Sequence, residues 1–281
     1  MPNYGYHLAR AEGHALRRLY SAALPLLVRQ KIEPPRELAF DVFSYSSEAD
    51  LPEQVASIRS FLKYAGRPRS FTVMSDGSHF ARSTALLRSL DSSVTVGFAT
   101  DCATTIWPES FRAYLRDHRT GKQLAVIMSL PANGPVFYID SDVLFFRGAS
   151  ALVAELSHSD APASYLADCQ HSADDRLFRS AQERGQPVNT GVLFLRRKLD
   201  WSIAVNRFVG LDGAPNFFTN QTLTQLAMHA NGAEPFDRGK FVLQLDDQFV
   251  YRDRYAAPHL VLRHYVQPVR HKFWTALLHH G

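Results

Sequence analysis

Hydrophobic and polar positions fall into two periods along this chain. Residues 38–45 (LAFDVFSY) make an apolar run of strand composition. From Pro52 the spacing becomes helical, with Val55, Ile58, Phe61 and Leu62 on one face and Gly66 closing the segment. Residues 71–74 predict a second strand ending at Asp76-Gly77, residues 81–90 a helix, and Val94–Phe98 a third strand. Helical segments follow around 109–118 and 122–130, and residues 136–139 predict a fourth strand. This β-α-β-α-β alternation argues for an α/β fold with a mostly parallel central sheet flanked by helices on both faces. The second half is more mixed, with strands near Ala163–Ala167, 188–196, 241–245 and 260–266 and helices between them. Open sheets of this kind bind ligands at the carboxyl ends of their strands. Ser44, Tyr45, Ser46, Asp76, Asp101 and residues 140–142 are therefore expected along one edge.

Composition narrows the class. At 281 residues with 46% hydrophobic and 21% charged positions, the chain can bury a large core, which excludes a disordered or collagen-like protein. The net charge of +4 resides in residues 1–36, which hold Arg10, Arg17, Arg18, Arg29, Lys31 and Arg36 against Glu12 and Glu33. The remainder is balanced, so no nucleic-acid partner is expected. The longest apolar run, residues 19–28, is too short for a transmembrane segment and lacks a small-residue cleavage site. It reads as a helical N-terminal extension over 1–36, set off by Pro34-Pro35, with peripheral membrane contact through residues 10–31 as the lesser alternative. Cys102 and Cys169 show no metal or CxxC spacing, which suits reduced thiols and a cytoplasmic location. No repeat, low-complexity segment or Gly-rich phosphate loop occurs.

The sharpest chemical signal is VFYIDSDVLFF, residues 136–146. Asp140 and Asp142 stand two apart between large apolar runs, and in a strand such positions share a side. Two carboxylates buried without a partner would be costly, and a hard divalent cation is the simplest partner. Mg²⁺ accepts these ligands; Mn²⁺ accepts them and takes imidazole more readily. The plainer alternative is a solvated turn after a strand.

With these residues the chain resembles the GT-A glycosyltransferases, whose DxD motif holds a metal bridging the diphosphate of a nucleotide sugar. YIDSDVLFF, after a helix and a proline-containing turn (residues 122–135), looks most like the family 8 retaining enzymes and their relatives. Three downstream segments carry the likeness further. Asn189-Thr190-Gly191 resembles the family's N-[ST]-G strand, whose Asn reaches the donor sugar. Phe218-Thr219-Asn220-Gln221 opens a helix where the family has an acid followed by Gln near the reacting carbon, so Asn220 stands in the acid's place. The segment from Arg263-His264-Tyr265 to Trp274 resembles the one supplying a third metal ligand and a phosphate-binding cation. Its spacing departs from the family's, leaving either Arg270 or Lys272 for the phosphate.

The resemblance implies a GT-A fold over 37–281, with a nucleotide-binding half at about 37–147 and a sugar and acceptor half at about 148–281. It implies a hexosyltransferase that uses a nucleotide sugar, UDP-linked, an acceptor, and Mn²⁺ or Mg²⁺, with retention. The implied metal ligands are Asp140, Asp142 and His264; Asp168, Asn189, Asn220 and Gln221 would serve the sugar and the reacting carbon. A metal-binding imidazole must be neutral, so activity should fall below about pH 6. On the nucleotide side, Tyr45 either stacks on the base or packs, and Lys122 either meets phosphate or caps a helix; Ser44 and Asp76 share their strand ends. Each position has a structural alternative: Asn189 as a turn residue, Gln221 as a solvated first-turn residue, His264 as a hydrogen-bonded core residue, and Phe273 and Trp274 as core. His271, His279 and His280 read as solvated. Two rival readings remain. In a haloacid-dehalogenase-like phosphatase, Asp140 would be the nucleophile and Asp246-Asp247 the metal pair; the other is an inactive nucleotide-sugar-binding GT-A domain.

Overall fold

The N-terminal segment is a single long helix, α1 (Tyr4–Leu27), started by the side-chain oxygen of Asn3, which accepts from the Tyr6 amide. In this computed structural model the described residues are 3–102, 106–130 and 134–280. The first half then follows the predicted order: β1 (Asp41–Ser46), α2 (Leu51–Tyr64), β2 (Phe71–Ser75), α3 (Ala81–Arg88), β3 (Val94–Phe98), α4 (Glu109–Asp117), α5 (Arg119–Ser129) and β4 (Val136–Asp140). The rest comprises β5 (Val143–Phe145), α6 (Leu152–Leu156), β6 (Ala163–Ala167), β7 (Val188–Leu195), α7 (Ser202–Val209), α8 (Thr219–Ala230), β8 (Glu234–Pro235), β9 (Phe241–Val242), β10 (Leu262–His264) and α9 (Lys272–His280).

Seven strands form the main sheet in the order β3-β2-β1-β4-β7-β6-β8. The pairs β3-β2, β2-β1, β1-β4 and β6-β8 are parallel, whereas β7 runs antiparallel to both β4 and β6. Strands β4 and β7 are central, and apart from Asp140 every residue in them is buried, as expected of apolar runs covered on both faces. On one face Val55, Ile58, Phe61 and Leu62 of α2 are fully buried, and the Phe61 ring meets Phe71 and Phe145 edge-on at 5.7 and 5.0 Å. The strand at 188–196 is thus present but reversed, because neither apolar content nor length encodes direction. A second sheet, β5-β10-β9, stands apart from the first, with β10 antiparallel to β5. Its strands have two or three residues, so the runs expected at 241–245 and 260–266 are shortened where pairing ends.

Helix α1 packs on α9 and α2. Gly13 is what lets it approach, since a Cβ there would sit 2.1 Å from the carbonyl oxygen of His271. Tyr20 packs on Trp274 at 5.1 Å, and Phe273 and Trp274 are core residues. His271 is not solvated as the sequence suggested; it is 8% exposed, with Tyr6 edge-on to its ring. Both cysteines are free. No helix among the described residues is long and apolar enough to cross a membrane.

Burial, with Lys272 and Arg10 nearby, pushes the His271 pKa down from 6.5 to about 4. Between those values the unfolded chain takes up a proton that the folded chain refuses. Stability contributed by neutral His271 should therefore be intact above about pH 6.5 and be lost as pH falls toward 4. In urea titrations from pH 7 to 4.5, His271→Gln should show a shallower loss than the parent, and equal slopes would refute the assignment.

Candidate active site

Asp140 is the last residue of β4, and Ser141 and Asp142 form the turn that carries the chain from the main sheet into β5. The two carboxylates therefore converge through a turn at a strand end, not through alternation along one strand. Strand β10 supplies the third group. Its register sets His264 opposite Val143, and the Tyr265 amide donates to the Asp142 carbonyl at 2.9 Å. Ligand-type atoms of Asp140, Asp142 and His264 all lie within 4.8 Å of one another. His264 Nε2 is 3.0 Å from Asp142 Oδ1 and 3.8 Å from Asp140 Oδ2.

The neighbours fix these groups. Asp140 Oδ1 accepts from Tyr138 Oη at 2.9 Å and Gln123 Nε2 at 2.8 Å, which leaves Oδ2 toward His264. Asn189 Oδ1 accepts from the Gly191 amide and faces His264 Nδ1, both at 2.9 Å, so Nδ1 carries the proton and Nε2 is turned to the carboxylates. Gly191 leaves the space: a Cβ would stand 2.1 Å from His264 Cε1 and 2.9 Å from Asp140 Oδ2. The Arg270 guanidinium donates to Asp142 Oδ2 through Nη2 at 2.7 Å and Nε at 3.1 Å, and to Asp50 Oδ1 through Nη1 at 3.1 Å.

The electrostatics follow from this packing. Burial raises the Asp140 pKa to about 6, against the pull of His264. Burial acts in the same direction on Asp142, but the Arg270 and His264 charges outweigh it and hold that carboxyl well below its usual range. Burial disfavours the imidazolium of His264, but Asp142 and Asp140 together outweigh it and the pKa is raised.

The cluster opens on a cavity of about 410 Å³. Tyr45 and Ser46 line it from the end of β1, Gln123 from α5, Asn189 and Thr190 from β7, and Arg270 from the segment before α9. On its far wall Gln221 Nε2 donates to Asp168 Oδ2 at 3.0 Å and to the Ser172 carbonyl at 2.8 Å. Asn220 Nδ2 donates to Gln123 Oε1 at 2.8 Å, and its own Oδ1 takes the Gln221 amide. Nine predicted positions thus meet at one cavity: Tyr45, Asp140, Asp142, Asp168, Asn189, Asn220, Gln221, His264 and Arg270.

Four others lie off its described lining. Ser44 is turned the other way, its hydroxyl donating to Gln54 Oε1 of α2 at 2.7 Å, because alternate residues of β1 face opposite sides. Asp76 accepts from Ser78, and its carbonyl takes Lys122 Nζ at 3.1 Å, which makes Lys122 a strap between a strand end and a helix. Lys272 is buried, with Nζ on the carbonyls of Val250 and Arg252 at 2.9 and 2.7 Å. Of the two, Arg270 and not Lys272 therefore lines the cavity, which Arg119 of α5 lines as well. Asp247 belongs to a fully buried pair with Arg263, at 3.0 Å, not to a second acidic site beside Asp140. Gln123 and Asp50 were missed: in the sequence nothing separates Gln123 from Lys122 beside it, and only the helical register picks the one facing Asp140.

No family model matches the sequence, and no curated protein does. Solved structures do. A galactosyltransferase, LgtC, in complex with donor and acceptor sugar analogues superposes with a TM-score of 0.58 at 14% identity, over 86% of this chain and 96% of that one. Mouse xyloside xylosyltransferase 1 superposes with a TM-score of 0.56 at 14% identity, over 84% and 99%. The fold is GT-A. GlyE of Streptococcus pneumoniae shares it at a TM-score of 0.52 and 13% identity, this chain covering 60% of that longer protein. At such identities the likeness is one of architecture, and the chemistry has to be argued from the side chains.

Gly191→Ala tests the packing of the cluster. Its new methyl overlaps the His264 ring and should cost about 1–3 kcal/mol in urea unfolding. It should also shift the His264 imidazole resonances in NMR spectra, and a variant as stable as the parent with unshifted resonances would overturn the arrangement.

Proposed function

We propose that this protein is a metal-dependent glycosyltransferase that moves a hexose from a nucleotide sugar, UDP-linked, to an acceptor with retention at the anomeric carbon. One observation carries the reading: on a GT-A fold, two carboxylates and an imidazole converge within 4.8 Å in the lining of the cavity. The donor set suits Mn²⁺ or Mg²⁺. With its Nδ1 proton held by Asn189, a neutral His264 turns its Nε2 lone pair toward Asp142 Oδ1 at 3.0 Å. Two acceptors at that distance need a proton or a cation between them. When bound, the ion supplies positive charge to a diphosphate leaving group.

The chain's own groups do the rest. Negative charge grows on the diphosphate as the bond to the sugar breaks, and Arg270, the guanidinium in the cavity lining that pairs with Asp142, is the group suited to meet it. Arg270 now holds Asp142 and Asp50; turned into the cavity, its planar fork would clamp phosphate oxygens bidentately. Asp168 and Asn189 would bind sugar hydroxyls. Gln221 spends its amide nitrogen on Asp168 and Ser172, which aims its Oε1, without a protein partner among the described residues, at the developing positive charge on the anomeric carbon. A structure of LgtC carries the active-site substitution of a glutamine by glutamate, in keeping with a glutamine at such a place. Asn220 would position Gln123, and through it Asp140, from the cavity wall. Tyr45 would take the base, placing the nucleotide in residues 37–147 and the sugar and acceptor in 148–281. Phe217, 67% exposed at the rim, offers an acceptor ring an apolar face.

The purified protein should hydrolyse a UDP-hexose slowly when Mn²⁺ is present, and Asp142→Asn should lower the rate at least about a hundredfold. Cleavage of a simple phosphate ester, or tight UDP binding without turnover, would overturn the proposal. Arg270→Ala separates the two roles of the guanidinium. With its competitor for Asp142 removed, the protein should bind Mn²⁺ alone more tightly by electron paramagnetic resonance. Its affinity for UDP should fall about tenfold in calorimetry, equivalent to ~1.4 kcal/mol.

A further inference from the structure

We propose that α1 is a membrane-surface helix, lying in the plane of an anionic bilayer on its outer face. The helix is apolar on two opposite sides. Its inner side (Ala9, Gly13, Leu16, Tyr20, Leu24) packs on the domain. Its outer side presents Tyr4, Leu8, Ala11, Ala15, Leu19, Ala22 and Leu26, spaced by threes and fours and all exposed. At 3.6 residues per turn these seven fall within an arc of about 80° that runs the length of the helix. The large members are far from buried: Tyr4 is 71%, Leu8 61%, Leu19 67% and Leu26 64% exposed. The domain already has its core, so this second stripe has no partner among the described residues.

Charge selects the occupant. Beside the stripe, on one flank, run His7, Arg10, His14 and Arg18, all exposed, and Arg29 and Lys31 follow the helix end. The only acids in residues 1–36 are Glu12 and Glu33, and Glu12 is engaged by the Tyr251 hydroxyl at 2.6 Å on the opposite flank. A shallow apolar stripe edged by arginines matches an interface of acyl chains and anionic headgroups. Self-association through the same stripe is disfavoured, because a two-fold antiparallel pair of α1 helices lays the row of arginines and histidines against its own copy. Spanning is ruled out by the hydropathy of the helix, which leaves the in-plane arrangement.

The test is flotation of the full chain with phosphatidylcholine vesicles, with and without phosphatidylglycerol. Binding should require the anionic lipid and be released by high salt. Leu8→Glu and Leu19→Glu should each weaken binding at least about tenfold, with thermal stability unchanged, because neither side chain touches the core. Arg10→Gln and Arg18→Gln should each weaken it about fivefold. Equal binding to both vesicles, undiminished binding by Leu19→Glu, or a solution dimer dissolved by Leu19→Glu would overturn the proposal. The readout involves no nucleotide, so it stands or falls apart from the catalytic reading.

Discussion

The constraint that organises this molecule is the convergence of Asp140, Asp142 and His264 in one small, largely buried volume at the wall of the cavity. An ion brought out of water costs several kcal/mol unless partners replace its hydration. Here most of these groups have a hydrogen-bond partner: Tyr138 and Gln123 on Asp140 Oδ1, Arg270 and His264 on Asp142, and Asn189 behind the ring, while Asp140 Oδ2 stands 3.8 Å from His264 Nε2. These partners come from β4, α5, β7, β10 and the segment before α9, elements distant in sequence. The cluster can form only when the whole domain has assembled.

The second sheet exists in service of this cluster. Strand β5 starts as soon as the Asp142 turn ends, and its pairing with β10 fixes how far His264 stands from that turn. On the reverse of β10, Arg263 is wholly buried against Asp247 and Asp253, so the strand is pinned from both sides. Beyond it the chain passes Arg270 and enters α9, on which α1 lies. Helix α1 also reaches the cluster by another route: Arg17 donates to Glu53 and to the Ala49 carbonyl, and the next residue, Asp50, shares Arg270 with Asp142. The extension is thus joined to the charged cluster by contiguous polar contacts.

What could be read from the sequence follows the physics of each signal. The β-α-β-α-β order was legible because runs of buried residues and helical spacing are local properties, and the acid pair because two charges between aromatic runs need an explanation. Strand direction was not legible: β7 looks like any buried strand, and its antiparallel pairing is decided by the connection that precedes it. Facing was not legible either. Ser44 and Tyr45 are neighbours in β1 with opposite surroundings, as are Lys122 and Gln123 on α5, and one sequence does not say which side meets the cavity. Spacing along the chain left Arg270 and Lys272 as alternatives, and the structure separates them: a short turn of helix at Gln267–Val269 precedes Arg270, which lines the cavity, while Lys272 goes to the carbonyls of Val250 and Arg252.

Arg270 shows why such a site can be stable and still ready to act. Three carboxylates, Asp50, Asp140 and Asp142, share Arg270 and His264, with the exposed Arg119 added, 3.8 Å from Asp50, and the raised Asp140 pKa of about 6 reflects burial first and then this local shortage of positive charge beside Asp142. The shortage makes the cluster a place where added positive charge is welcome. In the proposed reaction, charge balance on Asp142 by another cation would release Arg270 without leaving a buried acid bare. The freed guanidinium would then meet the diphosphate from the side on which Asp50 now holds it. A lysine there could not hold two carboxylates in this planar, two-sided way, which gives a physical reason for arginine at this position.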